Sequence, residues 1–288
     1  LVITTPINEG QTATLSGTYS DVGVLDTHEL DIDWNGDSVF DQMVTVTGGT
    51  FSVDRQYPDD DPTGTPSDTF TVHVRLRDDD LGSDTAGVDL TVNNVRPVLV
   101  VAPDQAINEG ALLDLSAVGA PPLALFVDDG VLDTHTVTVN WGDGTGDQAG
   151  TLIGGGGAFA VGGTHTYVDD GIYTVTVSVT DDDGGFDSES FLVTVENVAP
   201  TLTGVAATDA TINEAETAEI SATISDPGAL DVFSVDVDWK DGGPIDAITG
   251  LGLVDSSGSV GSTSYVWDAD ARQLTVPPLY QDDNPTGT

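Results

Sequence analysis

The chain has no cysteine, only six lysines and arginines against 49 acids, a single methionine, and aromatics at 6% of its 288 residues. Without cysteine there is no disulfide framework and no thiolate metal site, which leaves the redox compartment open. With so few cations the formal charge is −43. That charge makes nucleic acid and anionic membrane surfaces poor partners, and a cation the natural one. No apolar run is long enough to span a bilayer, so direct membrane insertion is not expected of this segment. No secretory-leader pattern stands at Leu1, and the chain begins and ends within its own pattern, leaving room for targeting segments outside it.

What is present is alternation and aspartate. Hydrophobic residues make up 38% of the chain, enough for a core, and they fall in strand-like runs. In Tyr173–Val179, Tyr173, Val175, Val177 and Val179 share one face while Thr174, Thr176 and Ser178 share the other, the signature of a half-buried β-strand. Three adjacent aspartates then follow, Asp181 to Asp183, although like charges side by side repel. Of the 49 acids, 41 are aspartate, a turn former whose short side chain reaches its own backbone and a common Ca²⁺ ligand in loops.

The sequence repeats itself about every 100 residues. "PINEG" at Pro6 recurs as "AINEG" at Ala106 and "TINEA" at Thr211. "DVGVLDTHELDIDWNGD" from Asp21 recurs as "DDGVLDTHTVTVNWGDG" from Asp128 and "DPGALDVFSVDVDWKDG" from Asp226. Acid runs follow Tyr57, Tyr167 and Tyr280. From the triplet at Asp78 to Pro97 is 19 residues, and from Asp181 to Pro200 is again 19. Length differences fall in loops, as a rigid scaffold tolerates. The expected units are residues 1–96, 97–199 and 200–288. The third copy stops about 32 residues short of the first by alignment. It is therefore expected to belong to a longer array, or to be completed by another chain through β-strand addition.

Each unit reads as about seven short strands separated by Gly, Asp and Pro turns, with no helix pattern. Trp34, Trp141 and Trp239 end alternating strands and are expected to pack between sheets. Short Asn-x-x-Pro linkers restrict the joints.

"NWGDGT" (Asn140–Thr145) followed by "HTYVDDGIYTVTVSVTDDDGG" (His165–Gly185) resembles the PKD (polycystic-kidney-disease-type) repeat, an immunoglobulin-like sandwich. The second unit matches almost throughout. The first departs with "WNGDSVFD" and "RQYPDDDPTG", the third with "WKDGG" and "PLYQDD". The fold class expected is therefore all-β: tandem immunoglobulin-like (PKD-type) β-sandwich repeats arranged end to end. The resemblance implies an extracellular, non-catalytic spacer or adhesive module of large bacterial surface proteins. It also implies a Ca²⁺ site near the domain end, built from an early Asn/Glu region and later aspartates.

In such a sandwich the "INEG" segment, the "DVGVLD" turn and the aspartate triplet can converge at one pole. The candidate ligands are then Asn8, Glu9, Asp21, Asp26, Asp78 and Asp80 in the first unit. The second offers Asn108, Glu109, Asp128, Asp133, Asp181 and Asp183, and the third Asn213, Glu214, Asp226 and Asp231. Ca²⁺ takes six to eight oxygens; the alternative is that these acids are exposed turn formers. The acids after each tyrosine (Asp59–Asp61, Asp169 and Asp170, Asp282 and Asp283) form either a second cation site at the opposite pole, meeting the next unit, or ordinary turns. "DWNGDSVFD" (Asp33–Asp41) imitates an EF-hand loop. However, Ser38 and Val44 stand where Gly and Glu belong, so a turn is expected. His28 and His135 share a turn where the third unit has Phe233, which favours packing over catalysis.

No nucleophile motif or phosphate loop appears, and acids recurring in every copy argue against a single catalytic carboxylate pair. No enzyme activity is expected. The leading reading is a Ca²⁺-stabilised segment of a secreted cell-surface stalk, adhesin or filament protein. Its partners would be neighbouring repeats, copies of itself, or a surface glycan or protein receptor. The rival is a carbohydrate-binding accessory module of a secreted hydrolase, for which Trp267 is the one candidate contact. A cadherin-like repeat would share the sandwich but not the Trp-Gly-Asp-Gly turn.

Overall fold

The computed structural model describes residues 1–23, 25–60, 63–116, 121–208, 219–239, 245–260 and 263–277. Among these, every regular element longer than a turn is a β-strand, and no helix is long and apolar enough to cross a membrane. The chain divides into two compact units. One holds residues 1–103, 114–164 and 174–191; the other holds 104–113, 165–173 and 192–288.

The first unit contains the whole first repeat. One sheet has the order Val2–Ile3, Thr12–Thr18, Thr50–Gln56. The facing sheet has the order Ile7–Asn8, Ser83–Asn93, Ser67–Asp78, His28–Asp33, Gln42–Val46. All its pairings are antiparallel except the first, in which Ile7 and Asn8 run parallel to Val92 and Asn93. Alternate residues of both sheets meet in a core of Ile3, Leu15, Leu30, Ile32, Trp34, Val72, Val74, Leu90 and Val92, the interdigitation of a β-sandwich. Tyr57 closes it: its buried hydroxyl donates to the Trp34 carbonyl at 2.9 Å. Tyr57→Phe leaves that buried carbonyl unpaired and should cost about 1 kcal/mol, read by chemical denaturation.

The same unit holds part of the second repeat. A sheet of order Thr151–Gly154, Ala158–Gly162, Ala124–Val127, Val98–Val101 lies beside pairings of His135–Asn140 with Asp147–Ala149 and with residues 176–181. The Trp turn here needs glycine. Gly142 has φ +81°, and a Cβ there would lie 2.8 Å from the Thr174 nitrogen, a contact and a conformation that L residues avoid.

In the second unit, Gln105–Asn108 pairs parallel with Val193–Glu196, repeating the terminal pairing of the first repeat. The third repeat contributes a sheet of order Thr201–Ala207, Ile220–Ser225, Gln273–Val276, Thr263–Asp268, Ser256–Val260. A separate ribbon pairs Phe233–Val237 with Asp246–Leu251. In both earlier repeats the strand equivalent to Phe233–Val237 is paired on both sides; here one partner is present among the described residues. Trp267 is only 1% exposed, at the centre of this core, and its indole donates to the Gly252 carbonyl.

Candidate metal centre

The parallel terminal strand fixes the first functional residue. Because Ile7–Asn8 lies along Val92–Asn93, Glu9 arrives beside the linker that leaves the repeat. Its backbone amide donates to the Asn93 carbonyl at 3.0 Å, and its Oε1 accepts from the Val95 amide at 2.6 Å. Glu109 does the same one repeat later, with 3.0 Å to the Glu196 carbonyl and 2.7 Å from the Val198 amide. Both carboxyls are buried, and in both the second oxygen, Oε2, has no hydrogen-bond partner. A buried carboxylate oxygen without a donor is costly.

Those oxygens open into acid clusters at the joints between repeats. Glu9 lies with Asp59 and Asp133, one oxygen of each within 4.8 Å of the others. Asp59, Asp60 and Asp183 form a second such group, and Asp128, Asp133 and His135 a third. At the next joint Glu109, Asp169, Asp170 and Asp231 form a quartet. The joints are docked alike. The Val131 amide donates to the Pro58 carbonyl at 3.2 Å, and the Ala229 amide to the Val168 carbonyl at 2.7 Å, so the "GVLD"-type turn of one repeat meets the acids after the tyrosine of the one before.

The candidate ligands therefore do not gather at one pole of each repeat, as the sequence led us to expect. Glu9 sits at the linker end, with the post-tyrosine acids. Asp21, Asp26 and Asp78 form their own, more exposed group at the turn end. The cause is the strand direction: the terminal strand runs parallel to the last one, so its "NEG" end emerges where the repeat exits. Asn8 and Asn108 are exposed. Asp80 is exposed as well. Asn213 and Glu214 lie outside the described residues, as do Asp61, Asp282 and Asp283.

Each aspartate of the triplets has its own task. The first caps the turn: Asp78 Oδ1 accepts from the Gly82 amide, and Asp181 Oδ1 from the Gly185 amide, both at 2.6 Å. The second holds the "LDTH" loop, Asp79 through the Thr27 amide at 3.0 Å and Asp182 through the Thr134 amide at 2.9 Å. The third reaches the joint in the second repeat, where Asp183 is 7% exposed. The histidines orient an acid rather than merely fill space. His135 Nε2 lies 2.9 Å from Asp128 Oδ2 and His28 Nε2 lies 3.0 Å from Asp21 Oδ2, and the His135 ring packs on Phe126 and Phe159. The third repeat has Phe233 there. Its loop is shaped instead by Arg272, which donates to the Asp226 and Gly228 carbonyls at 2.9 and 2.7 Å.

Proton affinities follow this crowding. Burial, reinforced by the charges of Asp60, Asp128 and Asp59, pushes the Glu9 carboxyl up to about 7 even though the Val95 amide opposes it. Burial and the Glu9, Asp128 and Asp59 charges raise Asp133 to about 8. Asp60 rises to about 7 and Asp183 to about 6, again by burial first and like charge second. Asp231 is raised by burial, then by Glu109, Asp226 and Asp169. The described ion pairs keep Arg75 and Arg77 on Asp31, and Arg96 on Asp187; none of these arginines reaches Glu9, Asp60 or Asp133.

These residues fit a hard divalent cation. Asp60 and Asp133 have both carboxylate oxygens buried without a donor, and Asp226 has one. The turn glycine is part of the cradle: a Cβ on Gly228 would lie 2.7 Å from both Asp231 Oδ2 and Glu109 Oε2. All-oxygen donor sets of this kind suit Ca²⁺ or Mg²⁺ rather than softer metals. The EF-hand-like loop, by contrast, is a turn as expected. Asp33 accepts from the Gly36 and Ser38 amides at 2.8 and 2.9 Å, and Asp41 from the Trp34 amide at 2.8 Å.

Residues 94–195 match the family model described as PKD domain, the stretch that holds the Trp-Gly-Asp-Gly and His-x-Tyr signatures. No curated protein matches the chain. Among solved structures, titin A168169 is 14% identical, with 67% of this chain and 94% of that one covered and a TM-score of 0.35. Drosophila OTK extracellular domains 3–5 are 11% identical, over 96% and 93%, with a TM-score of 0.28. Human CDH23 EC21-23 is 14% identical, over 90% and 80%, with a TM-score of 0.25.

Proposed function

We propose that this run of PKD-type repeats is a non-catalytic, calcium-stabilised segment of a secreted cell-surface protein: a stalk, adhesin or filament subunit. In this reading divalent cations occupy the carboxylate joints. The observation that carries it is the glutamate at the start of a repeat, Glu9 and again Glu109. One oxygen of each clamps the linker amide, and the other, buried and without a donor, faces an acid cluster that is largely buried at Glu9 and partly exposed at Glu109. Calcium supplied there offsets mutual repulsion and ties the linker, the preceding tyrosine loop and the following turn to one ion. The reading places the chain outside the cell, where calcium is high enough to fill modest sites assembled from loops. The recurrence of the acids joint by joint supports a structural rather than a catalytic role. Partners of such a segment would be adjoining repeats, further copies of the chain, or a glycan or protein receptor on an opposing surface.

The carbohydrate-binding alternative needs an exposed aromatic. Trp34, Trp141 and Trp267 are each at most 1% exposed, which removes Trp267 as its contact and leaves Phe186, 52% exposed, as the aromatic such a reading would need. Hydrogen exchange with and without calcium tests the proposal. Calcium should slow exchange at the Val95 and Val198 amides at least tenfold, with little change at mid-strand amides such as Val74. Equal rates at both linker amides in the two conditions would refute it.

A further inference from the structure

We infer that the first joint holds two divalent cations bridged by the Asp59 carboxylate. The inference rests on the calcium reading above and adds the arrangement of the ions. At the first joint the acids fall into two groups that share Asp59. Glu9 and Asp133 complete one, Asp60 and Asp183 the other. In each group one oxygen per residue lies within 4.8 Å of its neighbours, about the span of ligand oxygens around a single ion with bonds of roughly 2.3–2.6 Å. Orphaned buried oxygens occur in both groups. Glu9 Oε2 and both oxygens of Asp133 face the first, and both oxygens of Asp60 belong to the second. Asp128 is already engaged by His135 and by the Gly130 amide, so it is not needed as a ligand.

Charge agrees with the count. The five carboxylates of these two groups bring −5 when ionised, beside Asp128, which His135 already engages. One divalent ion would leave −3 in a largely buried place, while two leave −1, and uncompensated buried charge is strongly unfavourable. At the second joint Glu109, Asp169, Asp170 and Asp231 converge in one quartet. Those four carboxylates can share one coordination sphere.

Native mass spectrometry of the whole chain titrated with calcium alone decides the matter, with circular dichroism confirming that each variant keeps its strands. Relative to the unsubstituted chain, Asp60→Asn should remove one ion. Asp59→Asn should remove two, and Glu109→Gln one from the other joint. Terbium and europium loaded together should show energy transfer that Asp60→Asn abolishes. If Asp59→Asn and Asp60→Asn each remove the same single ion, the bridged pair is wrong while the calcium reading survives, provided Glu109→Gln also loses one. If the unsubstituted chain takes up no calcium, both fall.

Discussion

In the presence of a chelator the protein should lose stability as pH rises from about 5 to 8, and calcium should abolish or reverse that trend. The sign follows from the joint carboxyls. Asp133 is raised from an ordinary 3.8 to about 8, Asp60 from 3.8 to about 7, Asp183 from 3.8 to about 6, and Glu9 from 4.5 to about 7. Between the ordinary and the raised values the folded chain binds more protons than the unfolded one, so folding is favoured at low pH and weakens as pH climbs. The stabilisation is complete below about pH 4 and is lost as pH passes through 6 to 8. A bound divalent cation replaces those protons and competes with them, so its effect grows with pH. One site held at about 100 times its dissociation constant adds about 2.7 kcal/mol. For domains of this size 1 kcal/mol shifts the melting temperature by roughly 4–8 °C. Melting curves with calcium and with chelator should therefore separate by about 10 °C or more at pH 8 and nearly coincide at pH 5. A chelated protein that melts higher at pH 8 than at pH 5 would contradict the buried-carboxyl account.

Trp141→Ala should unfold the second repeat and take both joints with it. The indole is 1% exposed and its Nε1 donates to Gln148 Oε1 at 3.2 Å. It also lies against the Leu115 and Gly163 region, where a Cβ on Gly163 would touch its ring at 3.5 Å. Removing so large a buried ring costs about 3–5 kcal/mol, a large part of the stability of an ordinary domain. Asp128, Asp133 and Asp183 all stand on the strands and turns this ring supports. Calcium uptake should fall at both joints with the fold, because Glu109, Asp169 and Asp170 of the quartet belong to the same repeat. Calorimetry should show one transition moved down by roughly 10 °C or more and the other retained.

The sandwich was legible because its signals are local. Alternation such as Tyr173, Val175, Val177 and Val179 sets the buried face, and the recurring Trp turn and linker proline set the period. The acids were legible as candidates but not in their grouping. That depends on the direction of the two-residue strand Ile7–Asn8, and nothing in "PINEG" says whether it runs parallel or antiparallel to the last strand. A parallel pairing sends Glu9 to the exit of its repeat and toward Asp133 of the next. The role of the histidines had a readable trace: Asp21 to His28 and Asp128 to His135 share a spacing of seven, and the third repeat has Phe233 in its place. Trp267 misled because its insert looks like an exposed loop. Its neighbours Thr263–Asp268 instead pair on both sides within the sheet, which turns the indole inward.

The parallel pairing at the entrance and exit of a repeat also decides how tension would pass through it. A pull on the two ends drags Ile7–Asn8 and Val92–Asn93 past each other along their length, so the bonds between them are loaded together in shear instead of being peeled apart in turn. The Glu9 contacts to Asn93 and Val95 lie at the end of that same ribbon. An ion gripping the free oxygen of Glu9 would therefore lock the very ribbon that must slip before the repeat can lengthen.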